Sequence, residues 1–177
     1  MNLEELRCDI AQKQKKGLPF ICASVVIWLL ILVVLLLDLP QQAENMFVFC
    51  CSCPLLPISW GIGKALKVDI FDKSNPLGNV GFLFTCNQFL YLLIVMWVFR
   101  AVPEKMVMVY AMVFGAHLLP YSWLYKSVSY RVFAIMIPIV SLVVGCMFSA
   151  LWVAIILLVV EVVFVFALFV EVGKLKE

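Results

Sequence analysis

Six long apolar stretches separated by short polar segments make up most of the sequence. They lie at 18–37, 46–63, 78–99, 106–125, 132–148 and 151–170. A helix needs about 20 apolar residues to cross a hydrocarbon core of about 30 Å, because each residue advances it by about 1.5 Å. The pattern therefore predicts an all-α polytopic membrane helix bundle with six transmembrane helices, forming a single integral membrane domain over 1–177.

The boundary between the last two stretches is the least marked. Residues 132–170 contain one charged side chain, Glu161, and as a single helix they would extend about 58 Å, nearly twice the thickness of the core. The chain must therefore reverse within this segment. Small residues cluster near its middle at Gly145, Cys146 and Ser149, so we expect the turn there, without a polar loop.

The leader, residues 1–17, precedes the first stretch. Leu3, Leu6 and Ile10 recur at helical spacing, and Asn2 and Glu5 have the spacing of a helix cap. This pattern predicts a short amphipathic helix lying on the inner leaflet of the membrane.

The distribution of basic residues predicts the orientation, because cytoplasmic loops retain positive charge. With the amino terminus inside, only Arg100 and Lys105 fall in exterior loops. The other basic residues all lie on the inner side, so both termini are predicted to be cytoplasmic. These inner residues are Arg7, Lys13, Lys15, Lys16, Lys64, Lys67, Lys73, Lys126, Arg131, Lys174 and Lys176.

Composition excludes several classes of protein. Hydrophobic residues make up 66% of the chain and charged residues 14%, against about 45–50% and about 25% in soluble domains, so the natural solvent is a lipid bilayer. A net charge of +2 without a basic stripe argues against nucleic acid as a partner. The odd count of seven cysteines, mostly in apolar stretches, does not resemble a disulfide framework.

Two ionisable residues fall at similar depth in the predicted spans. Glu161 is the only acid within a span, and His117 is the only histidine. An ionisable side chain at the bilayer centre costs at least about 2.5 kcal/mol, which makes it a candidate functional group. Glu161 suits proton coupling or cation binding, or else a neutral hydrogen bond between helices. His117, with Tyr121 four residues on, suits a polar binding site or a hydrogen bond that supports packing.

Asn87 and Gln88 lie at the same depth in the third predicted span. They diverge by about 100° around the helix, so they cannot both face one point. Gly81, Thr85 and Gln88 share one face, a pattern typical of close helix packing with polar contacts. Packing and ligand contact both remain open for this pair.

Proline predicts kinks in two spans. Pro54 and Pro57 lie in the second span and Pro120 in the fourth, and each removes a backbone N–H from the helical ladder. Such breaks expose backbone polar groups to a substrate in some transporters, but they are also ordinary kinks packed by neighbours. Cys50, Cys51 and Cys53 beside them lack the further ligands of a tetrahedral metal site.

Motifs of catalysis and cofactor binding are absent from the sequence. It has no HExxH zinc pair, no GxSxG elbow, no P-loop and no dinucleotide-binding glycine pattern. We therefore predict no cofactor, no metal site and no catalytic residue, and the sequence does not favour an enzyme.

Two segments carry a resemblance to a known family. The run 67–78 (KVDIFDKSNPLG) and the run 114–125 (FGAHLLPYSWLY) resemble a group of small integral membrane proteins of Gram-positive bacteria that is classed as a domain of unknown function. The similarity extends along the chain. It implies a multi-pass protein of the bacterial inner (plasma) membrane and supplies no activity, substrate or catalytic residue.

Three functions remain open at this stage. The first is a small proton-coupled transporter or channel-like protein, a monomer or a homodimer, that moves a small molecule or ion past a mid-membrane polar site at Glu161 and His117. The second is a non-transporting sensor or partner subunit in which these residues only fix helix packing. The third is an intramembrane enzyme that acts on a hydrophobic substrate.

Overall fold

The computed structural model describes residues 2–72 and 74–175, so Lys73 and Lys176 of the charge pattern lie outside the described residues. Within these ranges the protein is helical, without a strand. The α-helices are α1 Leu3–Lys13, α2 Leu18–Leu35, α3 Gln41–Cys50, α4 Leu55–Ala65, α5 Leu77–Ala101, α6 Met106–His117, α7 Leu119–Leu124, α8 Val128–Met147 and α9 Ala150–Gly173. Short 3₁₀ turns, Lys15–Gly17 and Pro103–Lys105, precede α2 and α6.

Six helical segments of the described chain are long and apolar enough to cross a membrane, which confirms the predicted all-helical, six-span class. Four of them are centred on α2, α5, α8 and α9, and the other two combine α3 with α4 and α6 with α7. Between α8 and α9 the chain reverses through Phe148 and Ser149, which are both extended. Two residues are enough for this turn, so no polar loop is needed.

Breaks divide the second and fourth segments. α3 ends at Cys50 and α4 begins at Leu55, with Pro54 at the start of α4. α6 and α7 are separated by Leu118, and Pro120 lies in the first turn of α7. The first turn of a helix tolerates proline because its N–H groups have no partner within the helix.

Packing is uneven around the bundle. α2 packs on α9 and α4, and α6 packs on α8, which also contacts α9. The α5 segment is peripheral. Of its most apolar 18 residues 11% are buried, against 44% in the segment of α2. The core includes Trp28 of α2, whose ring meets those of Tyr110 and Phe114 edge to face at 5.9 and 6.0 Å.

Glycine permits the closest contact between α6 and α8. A Cβ atom at Gly115 would lie 2.6 Å from side-chain atoms of both Ile137 and Pro138. Small residues let helix backbones approach in this way, and dispersion forces then hold them together. The contact fixes α6, and therefore His117 at its end, against α8.

The leader forms α1, whose first turn is closed by reciprocal hydrogen bonds between Asn2 and Glu5. The chain then passes through Lys15, Lys16 and Gly17, which have φ angles of 45°, 52° and 69°. Left-handed backbone costs a non-glycine residue about 1–2 kcal/mol. This turn directs Lys16 into the bundle, against α9. We call the end of the bundle that carries α1 and Lys16 the leader end.

Contacts with several helices hold α1 across the leader end. Arg7 donates to the carbonyl oxygen of Trp123 through Nε and Nη2, at 2.9 and 2.5 Å. The Lys126 ammonium, hydrogen-bonded to Glu4 at 2.8 Å, lowers the pKa of that carboxyl, and Arg7 adds to the effect. A hydrogen bond from Asn75 lowers the pKa of Asp9. The leader is thus tied to the bundle by charged and polar groups, of which the carboxyls of Glu4 and Asp9 titrate at acidic pH.

Candidate functional site

Glu161 lies near the middle of α9 with none of its surface exposed. It faces α2, where Ser24 is also buried. Its Oε2 is hydrogen-bonded to the Ser24 hydroxyl, whereas its Oε1 is buried and has no hydrogen-bond partner among the described residues. A carboxyl group with one partner is therefore enclosed between the first and last membrane-crossing helices.

The hydrogen bonds around Ser24 indicate the protonation state of Glu161. The Ser24 Oγ contacts Oε2 of Glu161 and also lies 2.8 Å from the carbonyl oxygen of Ile21. Carbonyl and carboxylate oxygens only accept, and a serine has a single hydroxyl hydrogen to donate. A protonated Glu161 satisfies both contacts, since it donates to Ser24 while Ser24 donates to Ile21. The geometry therefore fits the neutral acid.

A second acid, Glu171, lies two to three turns further along α9, at the leader end. The Lys16 ammonium donates to its Oε2 at 2.7 Å. Three more donors at the start of α8 complete its shell: the Ser127 hydroxyl at 2.7 Å and the Ser129 N–H and hydroxyl at 2.7 and 2.6 Å. A negative group at a helix N-terminus is favourable because unpaired backbone N–H groups point toward it. Glu171 is thus held as a carboxylate, with a cation and three neutral donors around it.

His117 occupies a different place from Glu161. Its Nδ1 is hydrogen-bonded to the carbonyl oxygen of Phe114, and its ring contacts those of Phe114 and Tyr121 at 5.4 and 6.2 Å. No hydrogen bond or ion pair of the described residues joins His117 to Glu161. The structure therefore does not bring the two ionisable groups into direct contact.

Tyr121 connects α7 with the neighbouring helices. Its hydroxyl lies 2.8 Å from the Thr85 hydroxyl and donates to the carbonyl oxygen of Gly81 at 3.2 Å, both on α5. Its ring lies 6.1 Å from that of Tyr130, which packs edge to face on Phe164 of α9 at 5.1 Å. A continuous set of aromatic rings therefore extends from His117 to the helix that carries Glu161.

Asn87 and Gln88 lie near the middle of α5. The Asn87 amide donates to the Tyr91 hydroxyl, one turn away, at 2.8 Å. Gln88, although it shares a helix face with Gly81 and Thr85, makes no hydrogen bond to a described residue, and it is half-exposed. Two residues of the predicted polar face of α5, Gly81 and Thr85, are hydrogen-bonded to Tyr121.

The proline breaks bring together no set of metal ligands among the described residues. Pro54 caps the start of α4 and Pro57 lies in its first turn, and the exposed Cys50 and Cys53 precede them in the chain. All seven cysteines are free. Among residues 2–72 and 74–175, no group of three His, Cys, Asp or Glu side chains is arranged to hold a metal ion.

Two cavities open near the ends of the bundle. One of about 390 Å³ lies opposite the leader end and includes Gln41, Glu44, Glu104 and Lys105 in its lining. One of about 230 Å³ lies at the leader end beside Gln12 and Lys15. Neither is lined by Glu161 or His117. Glu161 has no exposed surface, so in this conformation the bundle is closed around the mid-membrane acid.

Ser24, Lys16 and Glu171 are the residues that sequence reasoning missed. Ser24 is an isolated small polar residue in an apolar span, a type that is common in helix packing. Lys16 and Glu171 flank the predicted spans, where charged residues are expected to meet water. A signal was present, since Lys16 lies two residues before the first predicted span and Glu171 directly follows the last. Two antiparallel helices that carry these charges at adjoining ends would pair them.

Comparison with known proteins gives a family without an activity. The model of a family of unknown function, DUF7010, matches residues 3–171. No curated protein and no solved structure matches the chain.

Proposed function

Since the chain belongs to the family of unknown function DUF7010, which has no activity to transfer, we propose from its own geometry that it is a small proton-coupled transporter. Glu161 is the group that takes up and releases the proton. The protein resides in the bacterial plasma membrane with both termini in the cytoplasm, as the placement of its basic residues favours. The observation that supports this proposal is that the buried Glu161 has one partner, Ser24, and one oxygen without a hydrogen bond to a described residue.

Protonation of Glu161 is linked to closure of the bundle. The neutral acid fits between α2 and α9, because it shares a hydrogen bond with Ser24 and carries no charge. Loss of the proton in place would leave an uncompensated carboxylate in hydrocarbon, at a cost of at least about 2.5 kcal/mol. The ionised form therefore favours a state in which α2 and α9 separate and admit water or a cation. Coupling of this kind allows a proton gradient to alternate the two states.

The leader end offers an exit for the proton. Glu171 lies ten residues beyond Glu161 on α9, which is about 15 Å along the helix. Tyr130 and Phe164 lie between them, and Lys16 and the serines of α8 surround Glu171. This arrangement supports release toward the leader end once α2 and α9 part.

Labelling with a hydrophobic carbodiimide tests the proposal, because this reagent reacts with protonated, reachable carboxyl groups. The protein is labelled in liposomes from about pH 5 to about pH 10 and the modified residue is identified by mass spectrometry. A transporter that alternates between the two states takes up the proton while Glu161 is reachable, so we expect labelling of Glu161 that fades along a titration curve as the pH rises. Glu44, half-buried on α3 at the opposite end, serves as the reference carboxyl.

Proton flux supplies the functional readout. Liposomes that contain a pH-sensitive dye are given a pH gradient, and the wild type is compared with Glu161→Gln and with Glu44→Gln. We expect Glu161→Gln to abolish proton movement and Glu44→Gln to leave it near the wild-type rate. Full proton movement in Glu161→Gln, or no labelling of Glu161 at any pH, contradicts the proposal.

A second function, the non-transporting sensor or partner subunit, is favoured by a separate observation. Glu161 is sealed between α2 and α9 and is not joined to His117, whereas Phe71, in the loop between α4 and α5, is 60% exposed. For this function, recovery of a partner falls in Phe71→Ala and is unchanged in Glu161→Gln. A pull-down with both variants separates this function from transport.

A further inference from the structure

The middle of α5 carries a polar group that its own chain leaves incompletely paired. Asn87 is the eleventh of the 25 residues of α5. Its single hydrogen bond, Nδ2 to the Tyr91 hydroxyl, uses one of two amide hydrogens. No described residue donates to its Oδ1. An asparagine therefore retains one donor and one acceptor at the centre of the most exposed span.

Bilayer physics makes this exposure costly. From the eleventh residue each end of the helix is about 15 Å or more away, beyond the reach of a short amide side chain. The hydrocarbon core contains no water to satisfy the free groups, and each unsatisfied group costs several kcal/mol there. A polar partner from another protein chain at the same depth would satisfy the free groups of Asn87.

The residues around Asn87 form a seam, and their spacing indicates what that partner is. They recur at alternating steps of four and three residues, the spacing of a helix that packs along a second helix. The four apolar members are 51–65% exposed. The seam consists of Leu83, Asn87, Leu90, Ile94 and Trp97. A single asparagine in such a seam pairs with its own counterpart and sets the register of two identical helices.

From this seam we infer that α5 is the dimerisation helix of the protein and that its partner is a second copy of the same chain. Two copies inserted in the same direction bring their α5 helices together in parallel about a twofold axis normal to the membrane. The two Asn87 side chains then meet at equal depth. Each amide has a donor and an acceptor free, so the pair is self-complementary. Apolar residues gain little when they leave lipid tails for another helix, because lipid tails are as apolar as leucine. Asn87 therefore supplies the specificity for a second α5.

Energy transfer tests the dimer in liposomes of falling protein-to-lipid ratio, with full-length copies that carry a donor or an acceptor at the C-terminus. We expect the wild type to remain associated on dilution. Asn87→Leu should need a protein density about 3-fold to about 20-fold higher for the same association. The matched control is Asn79→Leu, the same change in the first turn of α5, where the side chain is exposed at the helix end. It should behave as the wild type.

Cysteine cross-linking tests the seam independently, in a variant whose native cysteines have been replaced by serine or alanine. Leu90 and Met96 are similarly exposed, but Met96 lies on another side of the helix, about 120° away. We expect oxidation to cross-link Leu90→Cys and not Met96→Cys. A wild type that is monomeric at every density, an Asn87→Leu variant that associates like the wild type, or equal cross-linking at both positions overturns the inference.

Discussion

Ser24 and Glu161 are 137 residues apart in the chain and share a buried hydrogen bond between α2 and α9. The bond joins the first membrane-crossing helix to the last, and it is the only one that the Glu161 carboxyl makes with the described residues. Replacing Ser24 and replacing Glu161 should therefore change the free energy of unfolding by different amounts. The difference between the two values tests the protonation state of Glu161.

The first prediction concerns this pair. Ser24→Ala leaves the buried carboxyl without a partner and should lower the free energy of unfolding by about 1–3 kcal/mol. Glu161→Gln keeps a donor toward Ser24 and adds no charge, so its cost should stay below about 1 kcal/mol. Reversible unfolding in mixed detergent micelles measures both values. A cost for Glu161→Gln as large as that for Ser24→Ala would contradict a neutral Glu161, because an amide can replace the neutral acid in its hydrogen bond with Ser24.

The second prediction concerns the ion pair at the leader end. Glu171→Ala removes the only carboxylate that pairs with the buried Lys16 among the described residues, so the cost should reach about 3 kcal/mol. Lys16→Met leaves Glu171 with its three donors from Ser127 and Ser129 and should cost about 1 kcal/mol. The same unfolding measurement checks this order, and the reverse order would contradict the assigned roles.

The third prediction concerns the contact between α6 and α8. Gly115→Ala places a methyl group 2.6 Å from Ile137 and Pro138, and it should lower the free energy of unfolding by about 1–3 kcal/mol. Gly61 on α4 is the matched control, because a Cβ there meets no atom within 4 Å. Gly61→Ala should be neutral or stabilising by up to about 1 kcal/mol, since alanine favours the helix. Equal losses in both variants would refute the close contact.

The fourth prediction concerns the pH dependence of the leader. The pKa values of Glu4 and Asp9 are lowered from ordinary values of 4.5 and 3.8, so folding favours their ionised forms. Their contribution to docking of α1 is complete above those ordinary values and is lost as the pH falls through the lower folded-state values. Hydrogen exchange of α1 amides, corrected for intrinsic rates, should therefore be unchanged from about pH 7 to about pH 5 and should rise below about pH 4.

A double variant serves as the control for the leader. Glu4→Gln with Asp9→Asn removes both titrating groups, so exchange of α1 should be fast already at neutral pH and should change little on acidification. A response to acid as steep as that of the wild type would assign the effect to other groups.

The lengths of the apolar stretches were sufficient to predict the class of the fold. Six apolar stretches predicted six spans, because the thickness of the bilayer fixes the length of a crossing helix, and the structure has six such segments. The break between α3 and α4 lies at Pro54, and the break between α6 and α7 lies beside Pro120. The effect of a proline on its helix is local, so it can be predicted from the sequence. These features depend on residues close together in the chain.

The contacts of the candidate site were not predictable in the same way. Glu161 was identified from its burial cost alone, but its partner Ser24 depends on how α2 and α9 rotate against each other. The same rotation decides that His117 faces Phe114 and Tyr121 instead of Glu161. Single-sequence patterns specify which face of a helix is polar. They do not specify which helix that face meets.

The pairing of α2 with α9 has a consequence for biosynthesis. α2 leaves the translocon before α9 is translated. Ser24 therefore lies in the membrane without Glu161 while the intervening helices insert. Glu161 enters the membrane most cheaply without charge, and it meets its partner only after α9 has been inserted. A chain truncated before α9 would therefore leave α2 without the helix that it packs on and Ser24 without its partner.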